Sequence, residues 1–389
     1  MPSWPVYDDA DVATVVDILR AGTANYWTGT HGRTLEAEYA ASLGRAHAIA
    51  VANGTVALEL SLRAFEIGVG DEVVIPSRTF IATASAVTAV GATPVVADID
   101  AVSGNLTAAT AEAVLTSRTR AIIAVHVGGW PVDIESLSAL AASHDLIVIE
   151  DCAQAHGATM AGRQVGAPGT HAAAFSFCQD KVISAGEGGM LVLDDDDAFA
   201  RAWAYKDHGK SLARIAETGG DESGTSFRWL VESFGTNWRM HEVAAVLARG
   251  GLVRLPKMLA ARRANAERLA AGIAGAPGLR VPLPEGGTRS AFYRLYAHVL
   301  PEALAPGWDR DRIISAIVAE GVPCQYGSCC EIYRERAFTT AGLGPADRLP
   351  GAAAAHETQL AFYVHPTLTA EDIDDTIAAV RKVMEVAAS

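Results

Sequence analysis

The chain has no cluster of lysine and arginine, no apolar run long enough to cross a bilayer, and no paired CxxC spacing among its five cysteines. Each absence removes a class of function. Without a basic run nothing would neutralise a phosphate backbone, and a formal net charge of −14 makes nucleic acid a poor partner. Without about 20 consecutive apolar residues no helix spans a membrane. The opening MPSWPVYDDADVATVVDILR lacks the charged start and apolar core of an export signal, so a soluble, cytoplasmic protein is expected. Cys152, Cys178, Cys324, Cys329 and Cys330 are scattered and odd in number, which indicates neither a disulfide framework nor a zinc site. Also absent is a G-x-G-x-x-G directly after the first strand with an acid about 20 positions on, the mark of a nicotinamide dehydrogenase.

What the chain does have is length and apolar content. Its 389 residues are half hydrophobic, enough to bury a large core in two or three domains. The first two-thirds alternates short apolar runs with helical stretches, the pattern of strand–helix–strand units in a covered parallel sheet. The predicted strands are AIAV (48–51), EVVIP (72–76), PVVAD (94–98), AIIAV (121–125), LIVIE (146–150), AAFSF (173–177) and MLVL (190–193). Helices are predicted over TVALELSLRAF and DIESLSALAASH, the latter capped by Asp133. A stretch rich in Arg and Ala, then GAPGLRVPLPEGG, puts a boundary near residue 250. Residues 1–250 are expected to form a large α/β domain with an N-terminal arm over 1–25, and 251–389 a smaller α+β domain.

Several chemically apt residues fall just past predicted strands, where open α/β sheets keep their ligands. Lys181, in FSFCQDKVISAGEGGMLVL, precedes Gly186, Gly188 and Gly189; a lysine there is either a solvated surface residue or an amine available to a carbonyl cofactor. Asp151 ends LIVIE. It reads as a helix cap, or as the carboxylate that keeps the pyridine nitrogen of pyridoxal 5′-phosphate (PLP) protonated, with Gln154 reaching the ring hydroxyl. Asn53-Gly54-Thr55 follows AIAV and opens a helix, making a tight turn or an anion site for a phosphate. Ser176 either adds a hydroxyl to that phosphate or bonds backbone within its strand, and Phe80 either belongs to the core or stacks on a flat ring.

Taken in order, ANGTVALEL, SRTFIATASA, IEDCAQAHGA, AFSFCQDKVISAGEGG, YKDHGK, FGTNWRMHE and FYVHPTL resemble the DegT/DnrJ/EryC1/StrS family of sugar aminotransferases over nearly the whole chain. The resemblance implies an α/β chain of PLP-dependent transferase fold type I, like aspartate aminotransferase: a large domain with a mostly parallel sheet and a smaller C-terminal α+β domain. It further implies that Lys181 forms the Schiff base, Asp151 pairs with the pyridinium nitrogen, Gln154 meets the ring oxygen, Phe80 stacks on the ring, and Gly54, Thr55 and Ser176 bind the phosphate. Asn237, in FGTNWRM, would reach the cofactor of a neighbouring subunit, so a homodimer with shared active sites follows. The loop ISAGEGG departs from many members at Ser184 or Ala185, but its three glycines remain.

Transamination would let the Lys181 amine serve as acid and base in turn, provided its pKa falls well below about 10. The resemblance suggests L-glutamate as donor. Lys181 itself argues against the family's sugar dehydratases, which carry histidine at that position. NYWTGTHGRTLEAEYA, YKDHGKS and GVPCQYGSCCEIY look most similar to 8-amino-3,8-dideoxy-manno-octulosonate transaminases, pointing to an acidic eight-carbon keto-sugar as acceptor. Candidate acceptor contacts are Tyr26, Trp27, Arg78, Trp130, Arg239 and Tyr326, each of which is otherwise a core aromatic or a surface arginine; His208 is a further candidate, otherwise a partly exposed polar residue. A nucleotide-sugar or cyclitol aminotransferase would share every cofactor residue. A non-catalytic PLP- or sugar-binding regulator would not need Lys181 and Asp151 together.

Overall fold

A computed structural model describes residues 2–217 and 230–388. The strands, in chain order, are β1 (His47–Val51), β2 (Glu72–Pro76), β3 (Thr93–Ala97), β4 (Thr119–Val125), β5 (Ile147–Asp151), β6 (Thr159–Met160), β7 (Arg163–Gln164), β8 (Ala172–Ser176), β9 (Gly189–Leu193), β10 (Leu279–Arg280), β11 (Leu295–Val299), β12 (Cys324–Gln325) and β13 (Gln359–Phe362). The central sheet has seven strands in the order β1-β9-β8-β5-β4-β2-β3. Its strands are apolar along their length because both faces are covered. Ile49 and Val51 of β1 enter one core while Ala48 and Ala50 enter the other, the period-two alternation of a strand. Helices form where expected, with Asp133 accepting from the Ser136 N–H at the start of Ile134–Ser143.

The sheet departs from a repeated strand–helix–strand pattern at two steps: the parallel pair β5 and β8 is joined through the short β6–β7 ribbon with no helix, and β9 reverses direction. Strand β9 runs antiparallel to both β8 and β1. An antiparallel neighbour needs no crossover helix, so β8 and β9 are joined by the loop 177–188, which carries Lys181.

Toward the C-terminus, β10, β11, β13 and β12 form an antiparallel sheet. Helices Arg310–Ala319 and Ala370–Ala387 cover it through Ile313, Ile317, Val380 and Met384. Residue 250 lies inside the helix Glu242–Ile273, so the chain does not break at the boundary drawn from composition. Leu255 and Leu259 of that helix join a core of the large sheet, and Ala266, Leu269 and Ile273 join that of the small sheet. Moreover, Ile332, Tyr333 and Phe338 pack into the core beneath the large sheet.

Candidate active site

The parallel strands end on one side of the sheet, and the residues singled out above follow their tips. After β1, the Asn53 side chain accepts from the Val56 N–H at 3.0 Å and starts the helix Gly54–Ala64. The N–H groups of Gly54 and Thr55 belong to the first turn and have no earlier carbonyl in the helix to bond. A Cβ on Gly54 would lie 2.7 Å from that of Ser176, the last residue of β8, so glycine is required for the helix to start against that strand. The Ser176 hydroxyl oxygen accepts from the Cys178 N–H at 3.3 Å and retains its own proton to donate. Behind it, His156 Nε2 donates to the Ser176 carbonyl at 3.0 Å, leaving Nδ1 to accept from the Tyr39 hydroxyl at 2.9 Å. Burial pushes the His156 pKa down to about 4, keeping this ring neutral.

Asp151 closes β5 and is buried. Its carboxylate accepts from the Ala153 N–H at 3.1 Å and the Thr83 hydroxyl at 3.2 Å. Both partners are neutral. Burial therefore raises the carboxyl above its ordinary range, against the pull of those two donors and of Lys181. A buried carboxylate with neutral partners is suited to a cation brought by a ligand. Nearby, Gln154 accepts from the Gly128 N–H at 2.7 Å. Phe80 is 68% exposed in the turn after β2, so it is no part of the core.

Lys181 lies in the loop between β8 and β9 with 16% of its side chain exposed. Its Nζ is 3.5 Å from Asp180 Oδ1 and 4.7 Å from the centre of the Tyr293 ring. The Tyr293 hydroxyl bonds Asp180. Burial opposes ionisation of Asp180, but Lys181, Tyr293 and Arg294 together hold its carboxyl below the usual range. Trp4 Nε1 donates to the Lys181 carbonyl at 3.1 Å, laying the N-terminal segment over this loop.

A second group centres on buried Asp207, which sequence reasoning did not single out. It accepts from Arg239 at 2.6 Å, Trp27 Nε1 at 3.0 Å and Lys210 at 3.1 Å. Tyr26, also buried, donates to Glu36 at 2.9 Å and lies 3.9 Å from the buried Lys206 amine. Burial, only partly offset by Glu36, pushes Lys206 down to about 8. His208 is exposed, with φ of 62°, and Asn237 is exposed on the strand-like segment that bridges Asp207. Since the Ala52 N–H donates to the Trp238 carbonyl at 2.9 Å, this group lies beside the Gly54 turn. A third group holds Arg78 and half-buried Trp130 in one cavity, whereas Tyr326 is 51% exposed on the neighbouring loop.

Thr83, Asp180 and Tyr293 were likewise missed; Thr83 and Asp180 sit within quoted motifs, but nothing local marks them as neighbours of Asp151 and Lys181. His126, Glu150 and Cys152 are close enough to share a cation. Glu150 is already taken: it accepts from Arg163 at 2.6 and 3.1 Å, His126 at 3.0 Å, Thr170 at 2.7 Å and Gly166 N–H at 3.1 Å.

Residues 5–381 match the model of the DegT/DnrJ/EryC1/StrS aminotransferase family. The chain belongs to that family. The aminotransferase is 32% identical to a putative L-glutamine:3-amino-2,3-dideoxy-scyllo-inosose aminotransferase of Streptoalloteichus tenebrarius, over 98% of this chain and 94% of the relative. It is 39% identical to a UDP-N-acetyl-3-dehydro-alpha-D-glucosamine 3-aminotransferase of Acidithiobacillus ferrooxidans, over 77% of this chain and 74% of the relative. Among solved structures, an aminotransferase from Psychrobacter cryohalolentis is 46% identical, superposing with a TM-score of 0.94 over 99% of this chain and 98% of that one. The enzyme is PLP-dependent, with the fold type I architecture. Its residues fit the cofactor: an anion cradle that only glycine permits, a buried carboxylate hydrogen-bonded only to neutral groups, and the Lys181 amine near enough to lower that carboxyl's pKa.

Proposed function

We propose that this aminotransferase moves an amino group from L-glutamate to the carbonyl of a keto-sugar, with Lys181 as the residue that holds PLP and shuttles the proton. The observation that carries this reading is the buried Asp151 carboxylate, hydrogen-bonded only to neutral groups, with the Lys181 amine near enough to lower its pKa. When bound, the cofactor supplies a carbonyl carbon to take the amino group and a ring to accept electrons. Asp151 would keep the ring nitrogen protonated, Gln154 would meet the ring oxygen, and Phe80 would lie against its face. Gly54, Thr55 and Ser176 would hold the phosphate. The Lys181 amine would take the proton from the donor carbon and return it on the cofactor side. Exposed Asn237 and the fully exposed Phe234 beside it support a homodimer in which Asn237 reaches the neighbour's phosphate.

For the acceptor, an acidic octulosonate-type sugar is the reading we favour, because an arginine-lined cavity adjoins Gln154. Relatives named for an inosose and a UDP-linked sugar make cyclitol and nucleotide-sugar acceptors the second reading. The test is an absorbance spectrum of the PLP-loaded protein before and after L-glutamate, with L-glutamine in parallel because one relative is named for it. Loss of the yellow band with glutamate, absent in Lys181→Ala, is expected. A protein that never takes up the cofactor, or a Lys181→Ala variant that still turns over, would overturn the assignment.

A further inference from the structure

Arg78 follows β2 and is 2% exposed, yet its Nε and Nη2 have no hydrogen-bond partner. Its Nη1 makes one long contact, 3.5 Å to the Ser103 carbonyl, and the guanidinium lies 4.3 Å from the centre of the Tyr296 ring. Among the described residues no carboxylate pairs with it. Burying a charge without a counter-ion is costly, so a guanidinium kept in this state is expected to meet an anion from outside the chain. The surroundings agree. Arg78 lines a small cavity with Ser103, Trp130, Arg294, Tyr296 and His298, a lining with two arginines and no acid. Burial, with Arg78 adding to it, pushes His298 down to about 3, so that ring adds no charge. The space is tailored to the arginine: a Cβ on Gly104 would overlap its Nη1 at 1.7 Å.

The cavity also adjoins the cofactor residues. Gly128, in its lining, donates to Gln154 at 2.7 Å. The Tyr296 hydroxyl lies 3.4 Å from Ser328 Oγ, which in turn lies 3.5 Å from Gln154 Nε2. Its volume of about 20 Å³ admits an end group rather than a sugar ring. That size excludes a diphosphate, and a carboxylate is the small anion whose two oxygens match the two free guanidinium nitrogens.

We propose that Arg78 is the specificity residue of the acceptor site, binding the carboxylate of an acidic keto-sugar whose ring lies toward Gln154. This rests on the aminotransferase reading and names its substrate class. The probe is acetate, which carries the end group without the ring. PLP-loaded enzyme is titrated calorimetrically with sodium acetate against sodium chloride at equal ionic strength, in the wild type and in Arg78→Met, with melting curves as the folding control. Acetate should bind the wild type in preference to chloride and bind Arg78→Met at least tenfold more weakly. The glutamate-driven spectral change of the wild type shows that the protein titrated is loaded and competent. Should Arg78→Met not fold, Arg78→Lys keeps the charge but loses the paired nitrogens, and its acetate affinity must still fall severalfold. No acetate binding in the wild type, or equal binding in a folded variant, overturns the proposal while leaving the glutamate reaction intact. Loss of the glutamate reaction in the wild type would instead count against the aminotransferase reading.

Discussion

Replacing Asp151 by Asn should slow the enzyme and stabilise the cofactor-free chain at once. The amide has nearly the same volume and can still accept from the Ala153 N–H, so the local structure is retained. What disappears is a buried negative charge that, on the proposed reading, would face the cofactor ring. Losing a charge-assisted contact in a water-poor site costs about 3 kcal/mol, or about two orders of magnitude in rate. Stability moves the other way. Burial raises the Asp151 carboxyl above its ordinary 3.8, against the pull of Ala153, Thr83 and Lys181. An acid raised on folding is protonated longer in the folded chain than in the unfolded one. Its destabilising contribution is therefore nil below the ordinary value and grows as pH rises through the raised one. Cofactor-free Asp151→Asn should melt above the wild type at pH 8, and the difference should shrink toward pH 4. The paired assays are the single-turnover rate with L-glutamate and the melting temperature of stripped protein at both pH values. A rate within fivefold of wild type, or an asparagine variant that melts lower at pH 8, would refute the reasoning.

Two further changes test the supports. Gly54→Ala sets a Cβ 2.7 Å from that of Ser176; overpacking of this kind costs about 1–3 kcal/mol, so PLP affinity should fall by about ten- to a hundredfold, measured by equilibrium dialysis. Glu150→Gln breaks the buried pair with Arg163 and should destabilise the fold by about 3–5 kcal/mol, read from urea denaturation. Burial opposes the Glu150 charge, but His126 and Arg163 hold its carboxyl well below the ordinary 4.5, so the wild type keeps this contribution above that pH and loses it as pH falls further. The variant should therefore show a flatter acid limb.

The seven central strands were legible because each is a short apolar run covered on both faces, and Asp133 was legible as a cap because its partner, Ser136, is three residues away. The reversal of β9 was not, since an apolar run carries no sign of direction. Partnerships across long separations were also hidden. Thr83 meets Asp151, Tyr293 meets Asp180, and Trp27 meets Asp207 only through the fold. Arg78 could be read as an arginine near a strand end; that it is buried and lacks a counter-ion required coordinates.

The helix Glu242–Ile273 runs without a break for 32 residues, about 48 Å at 1.5 Å per residue, through an interior proline, Pro256. Its first half supports the sheet that carries Lys181 and Asp151, and its second half is part of the core of the antiparallel sheet. Two sheets that share one helix lose their foundation together, and Ile332, Tyr333 and Phe338 tie the C-terminal segment back under the large sheet a second time. The chain should accordingly melt in one cooperative transition, and its halves, expressed apart, should each be left with an apolar face and no partner to cover it.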